Sequence, residues 1–181
     1  MNDKTLIIVE GKEDENFLES YIKNLGYSSK NFECQAIYGK SNLKGGVIND
    51  IEDALARGSQ VLIIFDADSD CERTKADVEH ILERLEGFKI FLFPDDNSNG
   101  AVENLLERII RSEHERIFEC FEEYKECISK CMSEYEPPGM KAKIYAYKQV
   151  LGILEDPFNP RYWDFENTAL EPLKNFLNQN L

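Results

Sequence analysis

Glu10 and Gly11 stand directly after the apolar run Leu6–Val9, and Asp66, Asp68 and Asp70 stand directly after a second run, Val61–Phe65. A third apolar stretch, Lys89–Phe93, leads into Pro94, Asp95 and Asp96, with Glu103 a few residues beyond. Carboxylates brought close together repel one another. They then either hold protons at raised pKa or gather a cation. A hard divalent ion with oxygen ligands is the natural partner, and magnesium, which keeps several waters, suits acids scattered over several strand ends. Some of these acids have simpler readings. Asp70 is equally well placed as the N-cap of a following helix. Glu13, Asp14 and Glu15 fall in a first helical turn, where acids are favoured by the dipole. Asp95 and Asp96 are also ordinary turn residues.

These acids share a site only if the elements before them run the same way. Thr5–Val9 reads as a buried strand, Glu13–Leu25 as a helix with Phe17, Leu18, Tyr21, Ile22 and Leu25 on one face, and Gly26 as its stop. Phe32–Tyr38 reads as a weaker strand, Gly39–Gly46 as a loop and Val47–Arg57 as a helix. Gln60–Phe65 is a second strong strand, Glu72–Leu85 a helix with Val78, Ile81, Leu82 and Leu85 inward, and Lys89–Phe93 a fourth strand. This β-α-β-α-β-α-β order predicts a four-stranded, mostly parallel sheet with helices on both faces. Parallel strands end at one edge, where open α/β sheets bind ligands.

Beyond Gly100 the pattern is helical. Ala101–Arg111 is one helix, and Ser112-Glu113-His114-Glu115 has the form of a capping box for the next. Ile117, Phe121, Tyr124, Ile128, Cys131 and Tyr135 step by four and three, which predicts a packed helix face. Pro137-Pro138-Gly139 ends it. Lys141–Leu154 follows, with Ile144, Tyr147, Leu151 and Leu154 inward, and Leu170–Leu177 closes the chain. The expected organisation is an α/β core over residues 1–111 and a helical extension over 112–181, packed on that core.

The string Leu6-Ile7-Ile8-Val9-Glu10-Gly11, followed by a strand ending Asp66-x-Asp68, resembles the Toprim domain of primases, topoisomerases and OLD-family nucleases. The fuller string Val9–Asp14, with Gly100-Ala101-Val102-Glu103-Asn104-Leu105-Leu106, Lys141–Tyr147, Asp164-Phe165 and Pro172–Leu177, resembles a small stand-alone bacterial Toprim-like family of unassigned function. The resemblance implies that Glu10 is a metal ligand or general acid/base and that Asp66 and Asp68 bind metal. It implies further that Asp14 and Glu103 are later ligands of the OLD type, and that magnesium, with manganese as a substitute, is the cofactor. Asp70 completes the expected metal set. A haloacid-dehalogenase reading fits less well, because there the D-x-D follows the first strand.

The chain has 181 residues, 42% hydrophobic and 31% charged, with a net charge of −14. That charge argues against a broad basic surface for nucleic acid, so binding is expected to be weak without metal. The local cations that could touch phosphate are Lys40 and Lys44, in a loop that fails the Walker pattern, and Lys141 and Lys148, which share a helix face with Tyr145. Lys141 is also placed to neutralise transition-state charge. A plain loop and a helix with solvated lysines are the simpler readings of these two segments. Met1-Asn2-Asp3-Lys4 opens no secretory signal and no apolar run reaches membrane length, which predicts a cytoplasmic protein with no membrane partner. The five cysteines then read as reduced thiols. Cys127 and Cys131, four apart, read as small residues lining a helix–helix contact rather than as a soft-metal pair. His80 and His114 read as surface helix residues. Two functions are expected to compete: a magnesium-dependent phosphodiester hydrolase of nucleic acid, and a non-catalytic metal- or partner-binding module of a larger system.

Overall fold

The structure, a computed structural model, describes residues 4–153 and 155–181. Four strands, β1 (Thr5–Val9), β2 (Phe32–Ala36), β3 (Val61–Asp66) and β4 (Phe88–Phe93), form one sheet in the order β2-β1-β3-β4, every pair parallel. Three helices connect them: α1 (Lys12–Asn24), α2 (Gly46–Ala56) and α3 (Cys71–Ile81). Four more follow: α4 (Val102–Arg108), α5 (Glu115–Cys131), α6 (Met140–Leu151) and α7 (Glu171–Asn180). The expected α/β class is present, and the sheet, expected to be mostly parallel, is parallel throughout.

The sheet is covered on both faces because its central strands are apolar throughout Leu6–Val9 and Val61–Phe65. In β3, Leu62 and Ile64 join the cluster containing α1, while Val61, Ile63 and Phe65 join the one containing α2 and α3. The period of two along a strand sends alternate side chains to opposite faces. The first cluster also takes in Val102, Leu105, Phe118, Ile144, Tyr147, Trp163 and Leu173. One apolar core therefore unites residues before and after position 111. Trp163 is fully buried, its indole Nε1 donating to the Pro157 carbonyl at 2.8 Å and its ring 5.1 Å from that of Tyr147.

The strand order has a consequence for function. From β1 the chain moves outward to β2, then returns across β1 to β3 and continues to β4. The crossover direction reverses between β1 and β3, and such a switch point opens a crevice at the carboxyl ends of the strands. Glu10 and Asp66 stand at the ends of these two neighbouring strands.

Several boundaries differ from expectation. Strand β2 stops at Ala36, and Tyr38 takes a left-handed φ of 57°. Helix α3 ends at Ile81, which is exposed, while Val78 and Leu82 are buried. Helix α4 ends at Arg108, because Ile110 instead bridges to Trp163. Ser112 forms no capping box; a short 3-10 turn over Ser112–His114 leads into α5. The α5 face expected to be packed is largely open. Phe118, off the predicted stripe, is the buried residue of α5, and Tyr124 and Tyr135 are exposed. Cys120, Cys127 and Cys131 are exposed too, so the two expected contact thiols line no helix contact. Helix α5 meets α6 through the Phe118 ring, edge-on to Tyr147, and through a polar knot: the buried Lys143 ammonium lies 2.6 Å from Glu107 and 2.7 Å from Glu122, over the Phe118 ring. His114 is half-buried rather than on the surface. Tyr147 donates its hydroxyl hydrogen to the Tyr162 carbonyl, so His114 Nδ1, 2.8 Å from the same hydroxyl oxygen, is the donor there. Leu154 and Met1–Asp3 lie outside the described residues.

Candidate metal and phosphate cleft

Three backbone amides fix the carboxylates at the switch point. Glu10, immediately past β1, accepts from the Asp66 N–H at 2.9 Å through Oε1. Asp66, the last residue of β3, accepts from the Val102 N–H at 2.8 Å through Oδ1. Asp14, in the first turn of α1, accepts from the Gly11 N–H at 2.8 Å through Oδ2. The first links two strand ends, the second ties β3 to the start of α4, and the third closes the turn into α1. Among the described residues, no protein donor engages the second oxygen of any of the three. Glu103, in the first turn of α4, completes the group, with the Lys141 ammonium 3.8 Å from its Oε1. Glu10, Asp14, Asp66 and Glu103 all line one open cavity of about 740 Å³, closed on its far side by α6 through Lys141, Ile144, Tyr145 and Lys148.

Crowding and burial act on these acids together. Burial is the first cause that pushes the Asp66 carboxyl up to about 7, with Asp14, Glu10 and Glu103 adding repulsion against the Val102 amide. Asp14 is pushed up to about 6, again by burial first and then by Glu10 and Glu103, with the Gly11 amide and Lys141 opposing. Glu10 is also raised by burial, although the Asp66 amide and Lys40 pull it back. A cluster that holds protons for want of positive charge is one that a cation relieves.

Lys40 supplies part of that charge. The loop reading of Gly39–Gly46 places it near the edge; the structure sets it there, half-buried against the carboxylates and outside the cavity lining. On a 3-10 turn, its ammonium donates to the Asp66 carbonyl at 2.6 Å, pairs with Asp68 and lies 3.3 Å from Glu10. Sequence reasoning named the lysine but had no signal for its role as an internal counter-ion.

The remaining predicted residues distribute as follows. Asp68, at a positive φ of 54°, turns its largely exposed carboxylate to Lys40 and does not line the cavity; its backbone pairs with Gly100. Asp70 is the helix cap: it accepts from the Arg73 N–H at 3.0 Å, and this fixes its carboxylate at the start of α3, away from the cavity. Asp95 and Asp96 are turn residues, the first accepting from Ser98 and Arg108, the second from Leu92. Lys44 is exposed and lies outside the cavity. Lys141 is exposed at the cavity rim. Lys148 corrects the expected solvated face: it is buried, paired with Glu13 and set 4.2 Å above the Phe158 ring, so its charge is already matched. Tyr38, which no sequence signal marked, lines the cavity from the link after β2.

Among the described residues, no three His, Cys, Asp or Glu side chains form a ready-made metal cage. The donor set nevertheless fits a magnesium-type ion, which needs one or two carboxylates and keeps its waters. Glu10, Asp14 and Asp66 each offer an uncommitted oxygen to the same cavity.

The fold and cleft define an open α/β protein with an acidic pocket at its topological switch point. The chain belongs to the family described as Protein of unknown function (DUF3226), whose model matches residues 4–181. No curated protein and no solved structure matches it.

Proposed function

We propose that this chain is a divalent-cation-dependent, Toprim-type phosphodiester hydrolase acting on nucleic acid, related to the OLD-family nucleases and working in the cytoplasm. The observation that carries the reading is the meeting of Glu10, Asp14, Asp66 and Glu103 on one open cavity, with Lys141 at its rim. Glu10, Asp14, Asp66 and Glu103 would hold magnesium or manganese, which when bound supplies Lewis acidity for an attacking water and for the leaving oxygen. Glu10 is oriented by the Asp66 amide through Oε1, leaving Oε2 either to hold the cation or to take and return a proton. Lys141, exposed and loosely paired, can turn its ammonium from Glu103 to a phosphate oxygen.

The test is cleavage of labelled oligonucleotides by purified protein with magnesium or manganese. Glu10→Gln and Asp66→Asn should each abolish cleavage without unfolding the chain, and Lys141→Ala should slow it roughly 10- to 100-fold. Activity that survives Glu10→Gln would point to a contaminating nuclease and sink the reading. A second reading, a non-catalytic metal- or partner-binding module, is favoured by one observation: the Lys40 ammonium, shared between Glu10 and Asp68, already offsets part of their charge from within the chain. It predicts binding without turnover by the same protein.

A further inference from the structure

The cavity that holds the carboxylates is also flanked by two large side chains that the core does not use. Tyr38 is 73% exposed and Tyr145 is 61% exposed, yet both line the cavity that contains Glu10 and Asp66. They come from separate elements, the link after β2 and the solvent face of α6. Burying an aromatic side chain is normally favourable. An exposed pair beside an acidic pocket has no role in stability that the packing explains.

The backbone at Tyr38 is held firmly in place. Its φ of 57° lies in the left-handed region, unusual for a bulky residue. The neighbouring backbone fixes it there: the Ile37 N–H donates to the Val9 carbonyl and the Gly39 N–H to the Glu10 carbonyl, each at 3.0 Å. Asn42 Nδ2 donates to the carbonyls of both Ile37 and Tyr38. The segment that presents the ring is thus bonded to the segment that presents Glu10. Tyr145 stands one helical turn after Lys141, so α6 offers a ring and an exposed ammonium on the same side of the cavity.

We infer that Tyr38 and Tyr145 are stacking platforms for nucleobases, and that the substrate class of this cleft is single-stranded nucleic acid. The inference rests on the hydrolase reading of the same cavity and narrows it. The net charge of −14 works against binding through the phosphates of a duplex or a single strand alike. Stacking on a neutral ring does not depend on that charge, and it requires bases released from pairing. With the rings holding bases and Lys141 facing the strand, a phosphodiester linkage would lie beside the carboxylates once a divalent cation offsets their charge.

The experiment is fluorescence anisotropy with a labelled oligothymidylate of about 12 nucleotides, a blunt duplex of equal length and an abasic strand of equal length. It is run in calcium buffer to separate binding from turnover. The wild-type chain should bind the thymidylate strand at least about 10-fold tighter than the duplex or the abasic strand. Tyr38→Ala and Tyr145→Ala should each weaken it about 5- to 100-fold, and Tyr38→Phe and Tyr145→Phe should restore it. Equal affinity for strand and duplex, no loss in either alanine variant, or no rescue by phenylalanine would overturn the inference. Cleavage of the abasic strand with magnesium, lost in Asp66→Asn, reports the hydrolase reading without any base to stack. If the abasic strand is cut while the tyrosine variants bind normally, stacking fails and hydrolysis stands. If binding depends on the tyrosines and nothing is cut, stacking stands and hydrolysis fails.

Discussion

At Asp66 two demands oppose each other. The residue ends a strand buried on both faces, which takes its carboxylate out of water, and it shares its cavity with four other acids, Glu10, Glu13, Asp14 and Glu103. Its carboxyl rises from an ordinary 3.8 to about 7, and that of Asp14 to about 6, burial being the first cause in both. An acid whose folded pKa is raised favours the folded state while it stays protonated. Its contribution is complete below about pH 4 and is lost as pH climbs through about 6 for Asp14 and about 7 for Asp66. The metal-free protein should therefore melt lower at about pH 8 than at about pH 5, by roughly 2–4 kcal/mol of stability, and Asp66→Asn should remove most of that slope. Differential scanning fluorimetry across pH checks this; a flat profile in the wild type would contradict the crowding. Millimolar magnesium or manganese at about pH 8 should raise the melting temperature by several degrees, and an Asp66→Asn, Asp68→Asn double variant should lose that rise.

Among the elements, the turn from Ser98 to the start of α4 bears most on the cleft, because the Val102 amide it delivers holds Asp66. Gly100 takes a φ of +137°, which L side chains rarely adopt, and a Cβ there would stand 2.7 Å from Asn104 Oδ1. That oxygen accepts from the Ala101 N–H at the helix start. Gly100→Ala should cost about 2–4 kcal/mol in urea unfolding, from backbone strain together with loss of the cap. It should also weaken metal stabilisation, since Val102 moves with the turn. Helix α5 makes a different prediction. Its Cys120, Cys127 and Cys131 are exposed, whereas Cys71 is buried and burial pushes the Cys34 thiol up to about 12. Thiolate supply and access both set the rate, so a native thiol titration should show three fast groups and two slow ones. Fast reaction of Cys34 would mean that β2 opens readily, and fast reaction of Cys71 that the start of α3 does.

Taken whole, the molecule has no clean seam at position 111. Phe17 and Tyr21 of α1, Val102 and Leu105 of α4, Tyr147 of α6 and Trp163 share one cluster. The Asp164 N–H donates to the Ile109 carbonyl at 2.7 Å, and the buried Lys148 pairs with Glu13. A chain truncated after Arg111 should lose its cooperative melt. Full-length protein should unfold in one transition, with Trp163→Ala lowering stability by about 3–5 kcal/mol in calorimetry. Two separate transitions would show the helical part to be an independent unit. Among the described residues, no helix is long and apolar enough to cross a membrane.

The amino-acid sequence by itself determined the strands and their acidic ends. Continuous apolar runs as short and β-branched as Val61–Phe65 suit a strand buried on both faces, and an abrupt change to Asp66 marks the strand's end. The alternation of strands and helices carried the parallel sheet, and so the shared edge, because parallel strands joined by helices must end on the same side. What only the tertiary structure decided is which of the edge residues face one another. Asp66 and Asp68 are two apart, yet one lines the cavity and the other turns to Lys40, a difference set by a single positive φ at Asp68 and its pairing with Gly100. Lys148 looked like a solvated helix lysine until Glu13, 135 residues away, was placed beside it. The α5 stripe has the spacing of a packed face and lies open, because periodicity describes one helix alone. Whether a second surface comes to meet it, like whether Lys40 reaches Glu10, depends on contacts between segments far apart in sequence, and local pattern holds no record of those.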